Sequence, residues 1–170
     1  MARKTDRRHR QGDESRLAIL EATLAIAAER GYDGTTVALV QEATGLPASS
    51  IYWHFGSKDQ LLLETLRWSE EQLGSRRRAA LARTEDDVWD RLTAYTGLYL
   101  PEGPGDPRWV LWVEVWGRSP ASAEIRQGQL EIEAPWQADL VALIEEGAAS
   151  GVFAPGPAND RAVQLRALLD

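Results

Sequence analysis

Ser49, Ser50, Tyr52, Trp53, His54 and Lys58 crowd into one short stretch that begins with Gly45-Leu46-Pro47-Ala48. Small hydroxyls, a phenol, an indole, an imidazole and an ammonium are the groups a protein uses on a duplex. They donate to phosphate oxygens and present flat or polar surface to base edges. If Pro47 to Phe55 is a helix, a step of about 100° per residue puts Ile51 and Phe55 on one face and Ser49 and Trp53 on the other. Tyr52 then lies on one flank, and Ser50 and His54 on the other, within reach of phosphates. Lys58 opens the next helix, where free amides and the helix dipole also favour a phosphate, and Thr35 or Thr36 could act similarly one helix earlier. A lone surface Ser, Thr or Lys is ordinarily just solvated. An outward Trp53 beside His and Tyr is harder to explain without a partner.

The elements that position these groups are legible as helices. Leu17, Leu20, Leu24 and Ala27 recur at helical spacing after a possible Asp13 cap and stop at Gly31, which predicts a first helix over about 14–30. Thr35 or Thr36 can cap a second helix, Val37 to Ala43, and Gly45 at the bend with Pro47 in the first turn of the third gives a helix-turn-helix. Ser57-Lys58-Asp59-Gln60 reads as a capping box before a long fourth helix striped with Leu62, Leu66 and Leu73. Thr84 is the expected cap of a fifth helix, with Val88, Leu92, Tyr95 and Tyr99 on one face. Pro101-Glu-Gly-Pro-Gly-Asp is a loop. Asp106-Pro107 should open helix six and Ser119-Pro120 helix seven. Pro135 should interrupt that helix, with a kink or restart near Ala134, and Asn159 can cap the last one. Nothing reads as a strand.

Composition narrows the function. The 170 residues contain no cysteine, which excludes disulfides, thiolate metal sites and catalytic thiols. The only histidines are His9 and His54, and no nucleophile stands beside a base in a recognisable motif, so the sequence points away from catalysis, metal and cofactor alike. No apolar segment has the length of a signal-peptide core or a membrane span, which makes the cytoplasm the default location. The net charge of −7 looks wrong for a DNA binder until it is divided. Residues 1–58 carry eight basic and seven acidic side chains, and residues 59–170 carry eleven and nineteen. The positive potential is concentrated in Arg3, Lys4, Arg7, Arg8 and Arg10, read here as a flexible basic arm over 1–12.

Residues 14 to about 66 combine the leucine-rich first helix with Glu29-Arg30-Gly31-Tyr32, Thr35-Thr36-Val37, Ala43-x-Gly45, Ile51-Tyr52-x-His54-Phe55 and Ser57-Lys58. Together these resemble the DNA-binding domain of the TetR family of bacterial transcriptional regulators. The resemblance implies an all-α fold, with a three-helix helix-turn-helix domain over 13–58 and a helical ligand-binding and dimerisation domain over 59–170. It also implies that Tyr52, His54 and Lys58 meet phosphates and that positions 46–50 and 53 face the major groove. Pro47 and Ala48 stand where the family often has polar residues, so specificity should shift to Ser49, Ser50 and Trp53. Family members usually continue beyond an equivalent of Leu168-Leu169-Asp170, so a C-terminal truncation is expected.

In the second half, Trp109, Trp112, Val113 and Trp116 are expected on one helical face, with Glu114 and Arg118 opposite as an ion pair. Aromatic stripes are usually packing, but three indoles on one face are hard to pack without gaps. The expectation is an aromatic-lined effector site built on Trp112 and Trp116, with Trp89, Tyr95, Trp109 or Trp136 in its wall, suited to a flat or cationic lipophilic molecule. The functional expectation is a ligand-responsive repressor that binds a pseudo-palindromic operator as a homodimer. The alternatives are a constitutive or architectural DNA binder whose second domain only dimerises, and a small-molecule-binding protein with a vestigial DNA domain.

Overall fold

A computed structural model describes residues 2–83 and 87–170, with side chains from residue 11 onward. The described residues form eight helices and no strand: α1 (Ala2–Gly34), α2 (Val37–Thr44), α3 (Ala48–Phe55), α4 (Lys58–Leu81), α5 (Val88–Tyr99), α6 (Pro107–Arg118), α7 (Ala123–Ala149) and α8 (Ala158–Leu169). By contact they divide into two units, Met1–Ser69 with Gly105–Gln129, and Glu70–Pro104 with Leu130–Asp170. This differs from the sequence division at 58/59, because α6 packs against α1. The first half of α4 belongs to one unit and its second half to the other.

In the first unit, Ile19 and Leu20 of α1, Val40 of α2, Ile51 and Phe55 of α3 and Leu61 of α4 form a buried core with Ile26, Val37, Leu46 and Trp68 at its edge. Leu17, expected in the α1 stripe, is instead exposed, and Thr23 takes a buried place between Leu20 and Ala27. The helix begins at Ala2 rather than near Asp13. Ser15 donates to the carbonyl of Gln11 in the manner of a residue already inside a helix. The basic residues read as a flexible arm therefore lie on helical backbone, and their side chains are outside the described residues.

The second unit is held by Val88, Tyr95 and Tyr99 of α5, Ile132, Trp136, Leu140, Leu143 and Ile144 of α7 and Ala162 of α8, all buried. Pro135 does not restart α7, which runs unbroken from Ala123 to Ala149. Buried Ile132 before it and Trp136 and Leu140 after it pin both halves to the same core, while Pro135 itself is exposed. Packing on both sides offsets the lost amide bond.

Asp106 caps α6 as expected, accepting from the Arg108 amide at 2.9 Å. Ser119-Pro120 does not open α7. The carbonyl of Arg118 accepts the amides of Ala121 and Ser122, which uses up those residues in a turn, and Ser122 caps instead through the Ile125 amide at 3.3 Å. Asn159 sits inside α8, whose cap position is Pro157. The Thr84 cap lies outside the described residues. Asp87 performs that role for α5, accepting from the Asp90 amide.

Candidate nucleic-acid interface

The helix-turn-helix is built by local chemistry. Thr36 caps α2 through the Leu39 amide at 3.3 Å. Thr35, the other expected candidate, is buried with its hydroxyl donating to the Gly31 carbonyl at 2.7 Å, so it has no free donor on the surface. Gly45 ends α2 at φ 70°, ψ 6°, a left-handed conformation that suits glycine. Leu46 and Pro47 complete the turn, and Pro47 is the residue before α3 rather than its first helical position.

On α3 the faces fall as the projection required. Ile51 and Phe55 are buried, whereas Tyr52 is exposed and Trp53 is 79% exposed. Pro47 and Ser49 are exposed, and Ala48, Ser50 and His54 are half-buried along the flanks. The His54 ring lies edge-on to Trp53, with centroids 4.6 Å apart. Burial, with Arg16 nearby, holds the His54 imidazole below its ordinary pKa. Arg16 stacks 5.6 Å from the Phe55 ring and pairs with Glu64 at 2.5 Å, which ties α1 to both α3 and α4.

Ser57 caps α4 through the Gln60 amide at 3.0 Å. The return half of the expected capping box is absent, since the Ser57 amide donates to the Phe55 carbonyl at 2.7 Å, and the Gln60 side chain donates to Glu124. Lys58 stands at the first turn of α4 with its ammonium 3.9 Å from the centre of the Tyr32 ring. Burial draws its pKa down, with the Asp33 carboxylate opposing.

The candidate effector residues separate into three groups. Within the first unit, Trp112 is buried and stacks on Trp116 at 5.6 Å, and Trp109 meets Trp116 edge-on at the same distance. Val113, expected among them, is exposed. Within the second unit, Tyr95 and Trp136 meet edge-on at 5.3 Å, and the Tyr95 hydroxyl donates to the Trp136 carbonyl at 3.1 Å. Trp89 joins neither cluster. It is 56% exposed and lies edge-on to Phe153 at 4.9 Å.

The Trp136 cluster also contains Tyr99, expected only on the apolar face of α5, and Glu70 and Arg77, which the sequence does not single out. Tyr99 packs edge-on to Trp136 at 5.3 Å, and the indole N–H donates to Glu70 at 2.7 Å. The Arg77 guanidinium lies 4.3 Å over the ring and pairs with Asp139 at 2.7 Å. Glu70 and Arg77 are nearly fully buried. Their signal was available: they follow Leu66 at four and eleven residues, on the apolar stripe of α4, where a charge needs a buried partner. Burial pushes the Tyr99 phenol up to about 12, with its bond to Asp170 adding to the effect. Tyr95 is raised too, by burial.

Comparison with known proteins agrees with this architecture. Residues 19–65 match the family model "Bacterial regulatory proteins, tetR family", and residues 89–170 match "BetI-type transcriptional repressor, C-terminal". A crystal structure of a protein from Saccharomonospora viridis, described as a transcriptional regulator and solved in complex with choline, is 31% identical. It superposes with a TM-score of 0.82 over 93% of this chain and 82% of that one. A TetR-family protein from Rhodococcus is 26% identical, with a TM-score of 0.74, over 92% of this chain and 84% of its own. The transcriptional regulator CymR of Pseudomonas putida is 39% identical over 77 residues, which are 44% of this chain but only 38% of CymR. The chain belongs to the TetR family of bacterial transcriptional regulators. Among the described residues, no helix is long and apolar enough to cross a membrane.

Proposed function

We propose that this chain is a ligand-responsive repressor that binds a pseudo-palindromic operator as a homodimer. The observation that carries the reading is α3, whose Ile51 and Phe55 are buried while Tyr52 and Trp53 project outward. Ser49 and Trp53 are assigned to base edges, Ser50 sharing in specificity, and Tyr52, His54 and Lys58 to phosphates, with Thr36 adding a contact at α2. Two recognition helices in a dimer would sit about 34 Å apart, or a multiple of it, to meet successive turns of the groove. Leu130 of α7 and Val163 and Leu168 of α8 are exposed apolar side chains available to a second copy.

Phosphate contacts release condensed counterions, so each one steepens the salt dependence of binding. Tyr52→Phe combined with Lys58→Ala should weaken binding to all duplexes and reduce the salt slope by about 1. The slope is read from fluorescence anisotropy across a salt series. An unchanged slope would remove both residues from the phosphate contacts.

The effector is proposed to be a compact organic cation of the quaternary ammonium class, held against aromatic faces. Two observations support it: the Saccharomonospora relative holds choline, and the Trp136 ring here already carries a guanidinium beside buried Glu70. The indoles of Trp112 and Trp116 are the other candidate wall, with Trp109 at its edge. Choline should quench tryptophan emission and release operator DNA. A differential affinity near 5 kcal/mol between the two conformations would make the switch nearly complete. If Trp112→Ala and Trp116→Ala leave quenching and release intact, α6 does not form the site.

A further inference from the structure

We infer that Arg118 of α6, acting through Tyr32, is a positioning residue for Lys58, so that α6 sets how readily the Lys58 ammonium meets a DNA phosphate. The inference rests on the DNA-binding reading above and adds to it a route by which α6 bears on one contact. Tyr32 is the shared element. Its ring takes the Lys58 ammonium at 3.9 Å and the Arg118 guanidinium at 3.2 Å. Its hydroxyl donates to Asp59, the residue after Lys58. Its backbone N–H donates to Glu114 of α6 at 3.0 Å. One residue near the end of α1 therefore touches the start of α4 and the last turn of α6 together.

The local sequence is arranged to permit this. Gly31 leaves the helical conformation at φ 65°, ψ −175°, which turns the Tyr32 amide out of the α1 hydrogen-bond ladder. With no Cβ at Gly31, the Glu114 carboxylate can approach; a methyl there would lie 2.9 Å from it. On the charge side, Lys58 and Arg118 share the neighbourhood with Asp33, Asp59 and Glu114. Arg118 bonds Asp33 at 2.9 Å, and its Nε, buried and without a hydrogen-bond partner, stands 4.0 Å from Glu114. That unclosed gap means the node is not saturated, and a small displacement of α6 changes its charge balance.

The consequence for Lys58 has a definite sign. Arg118 neutralises Asp33 and Glu114, both of which attract the Lys58 ammonium. Without Arg118 those carboxylates, no longer neutralised, would compete with a phosphate for Lys58. Loss of Arg118 should therefore mimic loss of Lys58 itself, although Arg118 is assigned no contact with DNA.

The test is a double-mutant cycle on the full chain with a mixed-sequence DNA duplex, which reads phosphate contacts independently of the operator. Lys58→Ala alone should weaken binding and lower the salt slope by about 1. Arg118→Ala alone should weaken binding roughly three- to tenfold, the range of a cation–π and local charge contribution, and lower the slope in the same direction. In the Lys58→Ala background, Arg118→Ala should do nothing further. Arg118→Lys, which keeps the cation, should recover most of the slope. Equal losses from Arg118→Ala in both backgrounds would show a purely structural role and overturn the inference. No effect of Lys58→Ala on the slope would overturn it differently, by removing the phosphate contact on which it rests.

Discussion

Gly31→Ala should destabilise the first unit by about 2–4 kcal/mol, the cost of placing a side chain where backbone strain and a close neighbour coincide. Gly31 sits at φ 65°, ψ −175°, a combination that essentially only glycine adopts and that costs other residues about 1–3 kcal/mol. The added methyl would also stand 2.9 Å from the Glu114 carboxylate and push it off the Tyr32 amide that it accepts from. Gly45→Ala is the matched control. Its φ of 70° is also left-handed, but a methyl there meets nothing within 4 Å, so its cost should stay near about 1 kcal/mol. Urea denaturation of the two variants measures the difference. In a Glu114→Ala background the steric share disappears, and the Gly31→Ala cost should fall to the strain share alone. Equal costs for the two glycines would show that Glu114 does not hold this end of α1 in place.

The same residue marks where sequence reading succeeds and where it stops. Gly31 is legible as a break, because a glycine after an apolar periodic run is a local signal, although α1 resumes beyond it and runs to Gly34. That it turns an amide toward Glu114 was not legible, since the partner is far along the chain. The spacing of Glu114 and Arg118 predicts an ion pair on the face of α6 opposite the tryptophans. Their separation is indeed 4.0 Å, but both are half-buried and their nearer partners belong to the end of α1.

The recognition helix was readable almost whole. Inward Ile51 and Phe55 and outward Trp53 follow from periodicity, and the bend follows from Gly45. The caps of α7 and α8 were misplaced because several residues in each loop could cap. The choice depends on how the preceding backbone spends its carbonyls, as Arg118 does with the amides of Ala121 and Ser122. Pro135 shows the opposite failure, a strong local rule overridden by burial on both sides of it.

Trp136→Ala should be the most damaging single change in the second unit, at about 3–5 kcal/mol, as for other buried aromatic truncations. The side chain is 2% exposed, and four interactions converge on it: the bond to Glu70, the Arg77 stack and the edges of Tyr95 and Tyr99. For a chain of this length the loss corresponds to a fall of roughly 6–20 °C in the melting temperature of the transition reporting this unit. Trp136→Phe separates the contributions. It keeps an aromatic ring for the tyrosines but removes the N–H that Glu70 accepts, so about 1–3 kcal/mol of the loss should remain. Trp89→Ala is the contrast, because that indole is 56% exposed and its loss should cost under about 1 kcal/mol. The prediction also bears on the effector. If the Trp136 cluster receives a cation, Trp136→Phe should weaken choline binding more than its modest stability loss explains, since a phenyl ring is the weaker cation–π partner. A variant that melts lower yet binds choline with unchanged affinity would leave the cluster as core alone.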